Sequence, residues 1–416
     1  MTMRLGTKRK QIAGGMAATL AALVVGCGTS LIAPLPSANG VQGLGYTSSK
    51  LQMIVEPEAG VGPVVSAITS ATTSVHMKMY MLTDPSVIAA LAAAAKRLKP
   101  VDGKPAVQLL MEQWNYDSTD PDNLQKVHNP RNAESAKQLE AAGVQVQWTK
   151  NKENPGSGEW FNLTHEKSIV IDAGTASQVA WIMTANMSNS AFTKNREYLI
   201  VNKNKAEVDY VEACFQADWS GTPFRTLSAN LVVGPGMGRF ANNSRAQIIR
   251  ILDSAKKSIG IQMEVFNDQD VMETLGMAVK RGVTVRITMA HFEPKRPGDV
   301  EPDDIIVQRL AAYGVTDIKF ARQIGMHAKV IVADGIRAYI GSTNLTRGSM
   351  DSNRELGILT DNAGIIQTLV SYEQKDNQGA SPAPGKPVPP PPPPAPKGTR
   401  SKASAQHWIM NEYLGT

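Results

Sequence analysis

Two sets of chemically reactive residues recur in this sequence in the same order. Each set holds a histidine, a lysine, an aspartate, an asparagine and a glutamate, at His165, Lys167, Asp172, Asn186 and Glu197 and again at His327, Lys329, Asp334, Asn344 and Glu355. The intervals from histidine to lysine to aspartate are identical in both sets, and so is the interval from asparagine to glutamate. Two matching sets in register indicate a shared chemical role far more strongly than one His-x-Lys pair would.

These residue types suit the cleavage of a phosphodiester. An imidazole can act as nucleophile or proton donor near neutral pH. Ammonium and amide groups can donate to phosphate oxygens that gain charge in the transition state, and a carboxylate can fix the tautomer of the imidazole. Attack on phosphorus and protonation of the leaving group need two groups on opposite sides, and each set has one histidine. We therefore predict a single composite site between the two sets.

The elements that must position these residues are also duplicated. Residues 74–84 align with residues 258–268, and amphipathic helical patterns flank both segments. Strand and helix patterns then alternate in the same order in each copy, which favours βαβ units covered by helices on both faces. We predict an α/β fold with two tandem homologous α/β/α units at residues 51–222 and 223–375. Their sheets would be mixed and largely parallel, packed around a pseudo-twofold axis.

The duplicated His-x-Lys-x4-Asp motif resembles that of the phospholipase D superfamily, over roughly residues 51–375. The resemblance implies a covalent phosphohistidine route without metal or cofactor. By that precedent His165 is the nucleophile and His327 the general acid and base. It also implies phosphate binding by lysine, asparagine and hydroxyl side chains, at Lys167, Lys329, Asn186, Asn344, Thr184 and Ser342.

The remaining motif residues receive supporting roles. Glu197 and Glu355 would orient the histidines. Asp172 and Asp334 lie past their strands, and we interpret them as structural residues in a turn or a salt bridge.

Other candidates are weaker. We interpret His76 and His128 as structural. His291 follows a predicted strand and could line the site or lie in a solvated loop, and residues 159–163 could form an apolar wall for a lipid or pack in the core.

The ends of the chain carry the excess positive charge. The net charge is +6, yet residues 27–375 carry 35 basic and 35 acidic residues. Residues 1–26 combine a basic start with an apolar run that is too short to span a membrane, which is typical of an export signal. The run ends at Cys27 in a sequence that resembles a lipobox, so we predict lipidation there and a cell-envelope lipoprotein, with plain secretion as the alternative.

Two further segments flank the duplicated body. Residues 27–50 are a predicted spacer, and residues 376–400 form a proline-rich linker before a tail at residues 401–416. Ten prolines lie between positions 381 and 397, which favours extended polyproline II structure.

A neutral body and a predicted lipid anchor favour a phospholipid substrate and a membrane surface as partner, and disfavour nucleic acid, whose binding depends on positive charge. We therefore expect a monomeric phospholipase D that releases phosphatidic acid and the free headgroup, and whose phosphohistidine intermediate could also pass the phosphatidyl group to another alcohol. The alternatives are a metal-independent endonuclease and a cardiolipin-synthase-like phosphatidyltransferase.

Overall fold

The computed structural model describes residues 50–100, 103–116, 126–149, 161–237, 241–292 and 302–383. In the first half the elements are β1 (Leu51–Glu56), α1 (Gly62–Ser70), β2 (Val75–Met79), α2 (Pro85–Arg97), β3 (Val107–Met111), β4 (Trp114–Tyr116), β5 (Lys126–His128), α3 (Pro130–Ala141), β6 (Gln145–Trp148), β7 (Lys167–Ile171), β8 (Val179–Met183), α4 (Asn189–Thr193), β9 (Asn195–Asn202) and α5 (Lys205–Ser220).

The second half repeats this order from a strand that matches β1. Its elements are β10 (Leu231–Val233), α6 (Ser244–Ser254), β11 (Ser258–Met263), α7 (Gln269–Lys280), β12 (Thr284–Met289), α8 (Pro302–Ala312), β13 (Asp317–Phe320), β14 (Gly325–Met326), β15 (Lys329–Ala333), β16 (Arg337–Gly341), α9 (Arg347–Asp351), β17 (Leu356–Thr360), α10 (Ala363–Gln378) and β18 (Ser381–Pro382).

Each half builds one large mixed sheet. The strand order is β1-β9-β8-β7-β2-β3-β6 in the first and β10-β17-β16-β15-β11-β12-β13 in the second, where β18 extends the edge. The predicted two-unit α/β fold is confirmed, but the expectation of largely parallel sheets is wrong. Among the described strand pairs of the first sheet, only β2·β3 and β3·β6 are parallel in the order given above. In the second sheet, only β11·β12 and β12·β13 are parallel in the order given above. Helical crossovers join these strands, whereas the shorter connections from β7 to β9 and from β15 to β17 suit antiparallel neighbours.

Repeated aspartates explain why the two halves fold alike. Asp84 and Asp268 cap α2 and α7 by accepting backbone N–H bonds in the first helical turn. Asp172 and Asp334 have φ of 53° and 55°, a left-handed conformation that aspartate tolerates better than most residues. The Asp172 carboxylate accepts from the backbone of residues 72–74, and that of Asp334 from residues 256–258. Both therefore tie a turn to the start of the central strand.

The two sheets share a core. Separate apolar clusters fill the space under α1–α3 and under α6–α8. A third cluster joins the halves, since it contains Ile182 and Ile200 from the first sheet together with Ile340 and Ile358 from the second, all fully buried. Because this cluster belongs to neither half alone, it fixes the two sheets against each other at the seam where the reactive residues lie.

The folded body continues past the predicted boundary at residue 375. Helix α10 ends only at Gln378, and β18 then pairs with β13. No helix among the described ranges combines the length and apolar character that a membrane crossing needs. The predicted signal, Cys27 and most of the spacer and proline-rich linker lie outside the described residues.

Candidate active site

Each histidine is carried into the site by a segment that pairs with the opposite half. The His165 N–H donates to the carbonyl of Arg354, and the Arg354 N–H donates to the carbonyl of Leu163. In the second half, β14 runs parallel to the start of β9, where Met326 lies beside Arg196. Each histidine therefore lies beside the segment that bears the other half's glutamate, since Glu197 lies in β9 and Glu355 directly precedes β17.

This exchange produces two crossed His–Glu pairs. The His165 Nδ1 lies 3.0 Å from Glu355 Oε1, and the His327 Nδ1 lies 2.6 Å from Glu197 Oε1. The glutamates are fully buried and the histidines nearly so. With Nδ1 facing a carboxylate, the Nε2 atom of each imidazole is the one available for chemistry. The sequence predicted that these glutamates orient the histidines, but the exchange between halves was not foreseen.

Hydroxyl groups donate hydrogen bonds to the two glutamates. Thr184 Oγ1 and Ser342 Oγ each donate at 2.5 Å, the first to Glu197 Oε2 and the second to Glu355 Oε2. Both hydroxyls are fully buried and fix carboxylates, and their binding of phosphate stays a prediction. Ser349 Oγ also donates to Glu355 Oε1, a contact that nothing in the spacing of the motif revealed.

The two lysines lie at the bottom of the site. Lys167 Nζ and Lys329 Nζ donate to the carbonyls of His165 and His327, at 2.7 and 2.6 Å. Both side chains are fully buried. Burial, together with the charge of Lys329, lowers the pKa of Lys167 to about 7. Two nearby ammonium groups of this kind are suited to an anionic phosphodiester, whose charge would relieve their mutual repulsion.

Glu264 is the main site residue that sequence reasoning missed. It follows β11, and its Oε2 accepts from Lys329 Nζ at 2.5 Å while its Oε1 lies 3.5 Å from His327 Nε2. Although burial opposes ionisation, the charges of His327 and Lys329 lower its pKa to about 2. The available signal was the alignment of residues 74–84 with 258–268, in which Glu264 matches Tyr80.

The two asparagines differ in their contacts. Asn344 Nδ2 donates to Glu264 Oε2 at 3.3 Å, and its Oδ1 accepts from the Val265 N–H. Asn186 Oδ1 is buried and accepts no hydrogen bond from the residues that the structure describes. The binding of phosphate by both asparagines stays a prediction.

The electrostatic surroundings of His165 decide its charge state. Burial and the charges of Lys167 and Lys329 lower the pKa of His165 well below its ordinary value. Burial also raises the pKa of its partner Glu355 to about 7. His165 is therefore a neutral imidazole with a free electron pair at neutral pH, which is what nucleophilic attack requires.

Buried arginines brace the crossed pairs. Arg354, adjacent to Glu355, donates to Asp218 at 2.8 Å and to the carbonyl of Gly234. Arg196, adjacent to Glu197, pairs with Asp376 at 2.8 Å. Each of the two ion pairs joins one half to the last helix of the other, so these pairs repeat the exchange seen at the histidines.

One cluster among the described residues has the atom types of a metal site: Glu166, Cys214 and Asp218. The Lys78 ammonium lies among them, 2.9 Å from Glu166, 3.6 Å from Cys214 and 2.6 Å from Asp218. The cluster is therefore an internal ion network filled by a lysine.

The remaining candidates lie outside the reactive centre. His76 pairs with Glu212 and stacks on Phe215, and His128 packs on Trp114. The His291 side chain is only 6% exposed and lies against Phe320, which contradicts a solvated loop.

In the segment proposed as a lipid wall, Phe161 lies under Arg354 and Leu163 is buried beside Tyr80, so both pack in the core. Residues 159 and 160 lie outside the described ranges.

Comparison with known proteins identifies the family. Residues 64–219 and 248–376 match the family described as "Cardiolipin synthase, PLD-like domain". The chain belongs to this family of the phospholipase D superfamily. Its two matched segments correspond to the two halves of the fold.

Individual relatives are more distant. A cardiolipin synthase of Halalkalibacterium halodurans is 21% identical over 347 residues, which cover 78% of this chain and 65% of that protein. Phospholipase D Z of Dictyostelium discoideum is 32% identical over 148 residues, 30% of this chain and 34% of that one. The phosphatidylserine synthase structure from Haemophilus influenzae superposes with a TM-score of 0.60 at 11% identity, covering 81% of this chain and 88% of that one, and shows the same fold. The family match therefore places the chain in the phospholipase D superfamily, and the chain covers about two thirds of the length of the cardiolipin synthase from Halalkalibacterium halodurans.

Proposed function

We propose that this protein transfers a phosphatidyl group from a phospholipid to the hydroxyl of a second molecule, as a cardiolipin-synthase-like phosphatidyltransferase. The observation that carries the proposal is the crossed arrangement of His165 with Glu355 and His327 with Glu197 around two buried lysines. It supplies two imidazoles on one phosphate site, as two-step displacement at phosphorus requires.

The reaction proceeds in two balanced steps. His165 Nε2 attacks phosphorus, an N–P bond forms, and the P–O bond to the first alcohol breaks as His327 Nε2 gives that oxygen its proton. His327 then takes the proton of the incoming hydroxyl, whose oxygen attacks phosphorus and releases His165. Lys167 and Lys329 stabilise the charge on the phosphate oxygens in both steps.

Transfer fits the relatives better than hydrolysis does. The family description and several curated relatives, including that of Halalkalibacterium halodurans, are named for cardiolipin synthase. Hydrolysis to phosphatidic acid is the second candidate, favoured by the local match of 32% to phospholipase D Z. The two differ only in whether a lipid hydroxyl or water accepts the phosphatidyl group.

A membrane surface outside the cytoplasm is the proposed setting. The balanced charge of residues 27–375 and the predicted export signal with Cys27 support a lipid substrate over nucleic acid, and we propose that the protein acts as a monomer.

Incubation of the full chain with phosphatidylglycerol vesicles, with and without added glycerol, tests the proposal. We expect cardiolipin and free glycerol, with little phosphatidic acid, and no product from His165→Asn. Phosphatidic acid as the main product would replace transfer by hydrolysis. Nicking of plasmid DNA without any lipid turnover would overturn both.

A further inference from the structure

Tyr80 and Glu264 occupy equivalent positions in the two halves. Tyr80 follows the last residue of β2, and Glu264 follows the last residue of β11. These strands pair with β7 and β15, which begin at the two site lysines, in matching register: Met79 lies opposite Lys167, and Met263 opposite Lys329. The same backbone position therefore presents a phenol ring to one half of the site and a carboxylate to the other.

The two side chains make different kinds of contact with their neighbours. Tyr80 meets the His165 ring edge-on, with 5.1 Å between the ring centroids, and its ring lies 5.4 Å from Lys167 Nζ. Glu264 instead forms ion pairs with His327 Nε2 at 3.5 Å and with Lys329 Nζ at 2.5 Å. Of the two site histidines, only His327 therefore has a carboxylate on each side of its ring, Glu197 at Nδ1 and Glu264 at Nε2, within the residues that the structure describes.

A carboxylate that faces Nε2 orients this nitrogen as a proton donor, and its negative charge repels an anionic phosphodiester from the electron pair of that nitrogen. His165 has Glu355 at Nδ1 and is also affected by the charge of Glu264, but burial and the ammonium groups of Lys167 and Lys329 outweigh these carboxylates. The two ammonium groups therefore favour the neutral ring, in agreement with its lowered pKa.

We propose that the Tyr80/Glu264 difference decides which histidine attacks phosphorus and which protonates the leaving group. Glu264 is then a positioning residue that orients His327 as the proton donor and leaves the attack to His165. The inference rests on the proposed phosphohistidine route, and it deepens that route by giving the near-symmetric site a direction.

The exchange of roles can be written atom by atom. In the native protein, His165 Nε2 forms the N–P bond, and the departing oxygen takes its proton from His327 Nε2. With the two side chains exchanged, a carboxylate at position 80 would face His165, and a phenol at position 264 would leave His327 with Glu197 as its flanking carboxylate. His327 Nε2 would then form the N–P bond, and His165 would supply the proton.

The double variant Tyr80→Glu/Glu264→Tyr tests this directly. Wild type and variant are reacted with bis(p-nitrophenyl) phosphate, quenched in alkali, digested, and mapped for phosphohistidine by mass spectrometry. We expect the label on His165 in the wild type and on His327 in the variant. A folded variant that still carries its label on His165 would overturn the inference. Turnover of the wild type with no label on either histidine would instead overturn the proposed covalent route.

Glu264→Gln is the conservative second variant, and it does not depend on fitting a new ring into the site. The exposed Glu273→Gln on α7 is the matched control. With vesicles of phosphatidylglycerol, we expect kcat to fall at least about tenfold, part of what a general acid contributes, because Glu264 no longer orients His327 Nε2 as the proton donor. We also expect KM to fall, because a carboxylate no longer competes with phosphate for Lys329.

With the aryl diester, whose leaving group needs no proton, kcat of Glu264→Gln should change little. Equal loss on the lipid and the aryl diester would contradict the positioning role, since a merely structural defect affects both substrates alike.

Discussion

The two halves of the active site share a backbone but differ in the neighbours of their histidines. On one side, the neutral His165 lies under Tyr80, and its Glu355 is held by Ser342 and Ser349. On the other, His327 lies between Glu197 and Glu264. The duplication therefore supplies two copies of each reactive group. Neighbours that differ between the halves, such as Tyr80 and Glu264, give the two histidines different roles.

A second difference lies behind the glutamates. Glu56 is buried opposite Glu197 in the β1·β9 ladder, and burial together with the charges of Glu197 and Glu58 raises its pKa to about 7. The equivalent position in the second half is Gly234, where any side chain would run into the Asn353 carbonyl and Glu355. The lack of a side chain at Gly234 therefore lets Arg354 and Glu355 lie close to the backbone of this residue.

Substitution of each histidine in turn should have the largest effect on activity, and the two variants should differ. We expect His165→Asn to abolish phosphoenzyme with every substrate. His327→Asn should lose about 10⁴-fold in lipid turnover, at the upper end for general acid–base catalysis, yet still form phosphoenzyme from an aryl diester. Rapid-quench kinetics on both substrates measure the split, and equal behaviour of the two variants would mean that the halves are interchangeable.

The two buried ion pairs, Arg354–Asp218 and Arg196–Asp376, should contribute different amounts to the free energy of unfolding. Asp218 neutralises both Lys78 and Arg354, so Asp218→Asn should lower the free energy of unfolding by about 3–5 kcal/mol. Arg196 keeps Glu58 when Asp376 is changed, so Asp376→Asn should cost about 1–3 kcal/mol. Urea unfolding followed by circular dichroism measures both, and equal losses would contradict the assigned networks.

Gly341 should tolerate no side chain, unlike its counterpart Met183. A Cβ at Gly341 would overlap Gly357 and approach the Tyr339 hydroxyl. Gly341→Ala should therefore lower the free energy of unfolding by about 1–3 kcal/mol through overpacking. The matched control is Gly260→Ala, which meets nothing within 4 Å. The explanation fails if both glycines accept alanine equally well in the same urea titration.

The pH dependence should show the chemistry of the His165 half. Below pH 7 Glu355 gains a proton and loses its hold on His165, and above pH 7 Lys167 loses the charge that binds phosphate. We expect kcat/KM to peak near pH 7 and fall about tenfold per unit on either side. Lys167→Arg, which stays charged, should remove the basic limb. The exposed Lys205→Arg is the control, and a basic limb that persists in Lys167→Arg would assign it to another group.

Much of this architecture could be predicted from sequence because it depends on local pattern. The duplicated His, Lys and Glu intervals indicated one composite site, and the alternation of helices and strands indicated two α/β units. Antiparallel pairing was missed because strands β7 to β9 carry the same apolar pattern as buried parallel strands.

The crossed contacts could not be predicted in the same way. His165 and Glu355 are 190 residues apart, and no interval within one half specifies that they meet. The hydrogen bonds that Thr184 and Ser342 donate to the glutamates were not foreseen, because the sequence does not show which way a buried side chain points. Glu264 was visible only as a mismatch with Tyr80, and its meaning depended on knowing that both positions lie beside the lysines.

The central claim is that each histidine is held by the glutamate of the opposite half. Nitrogen-15 labelling of the six imidazoles, with NMR of the substrate-free protein, tests it through two variants. The account predicts that Glu355→Gln shifts the His165 ring resonances and leaves those of His327 nearly unchanged, and that Glu197→Gln does the reverse. If Glu197→Gln instead shifted His165, and Glu355→Gln shifted His327, each half would hold its own histidine and the crossed site would be wrong.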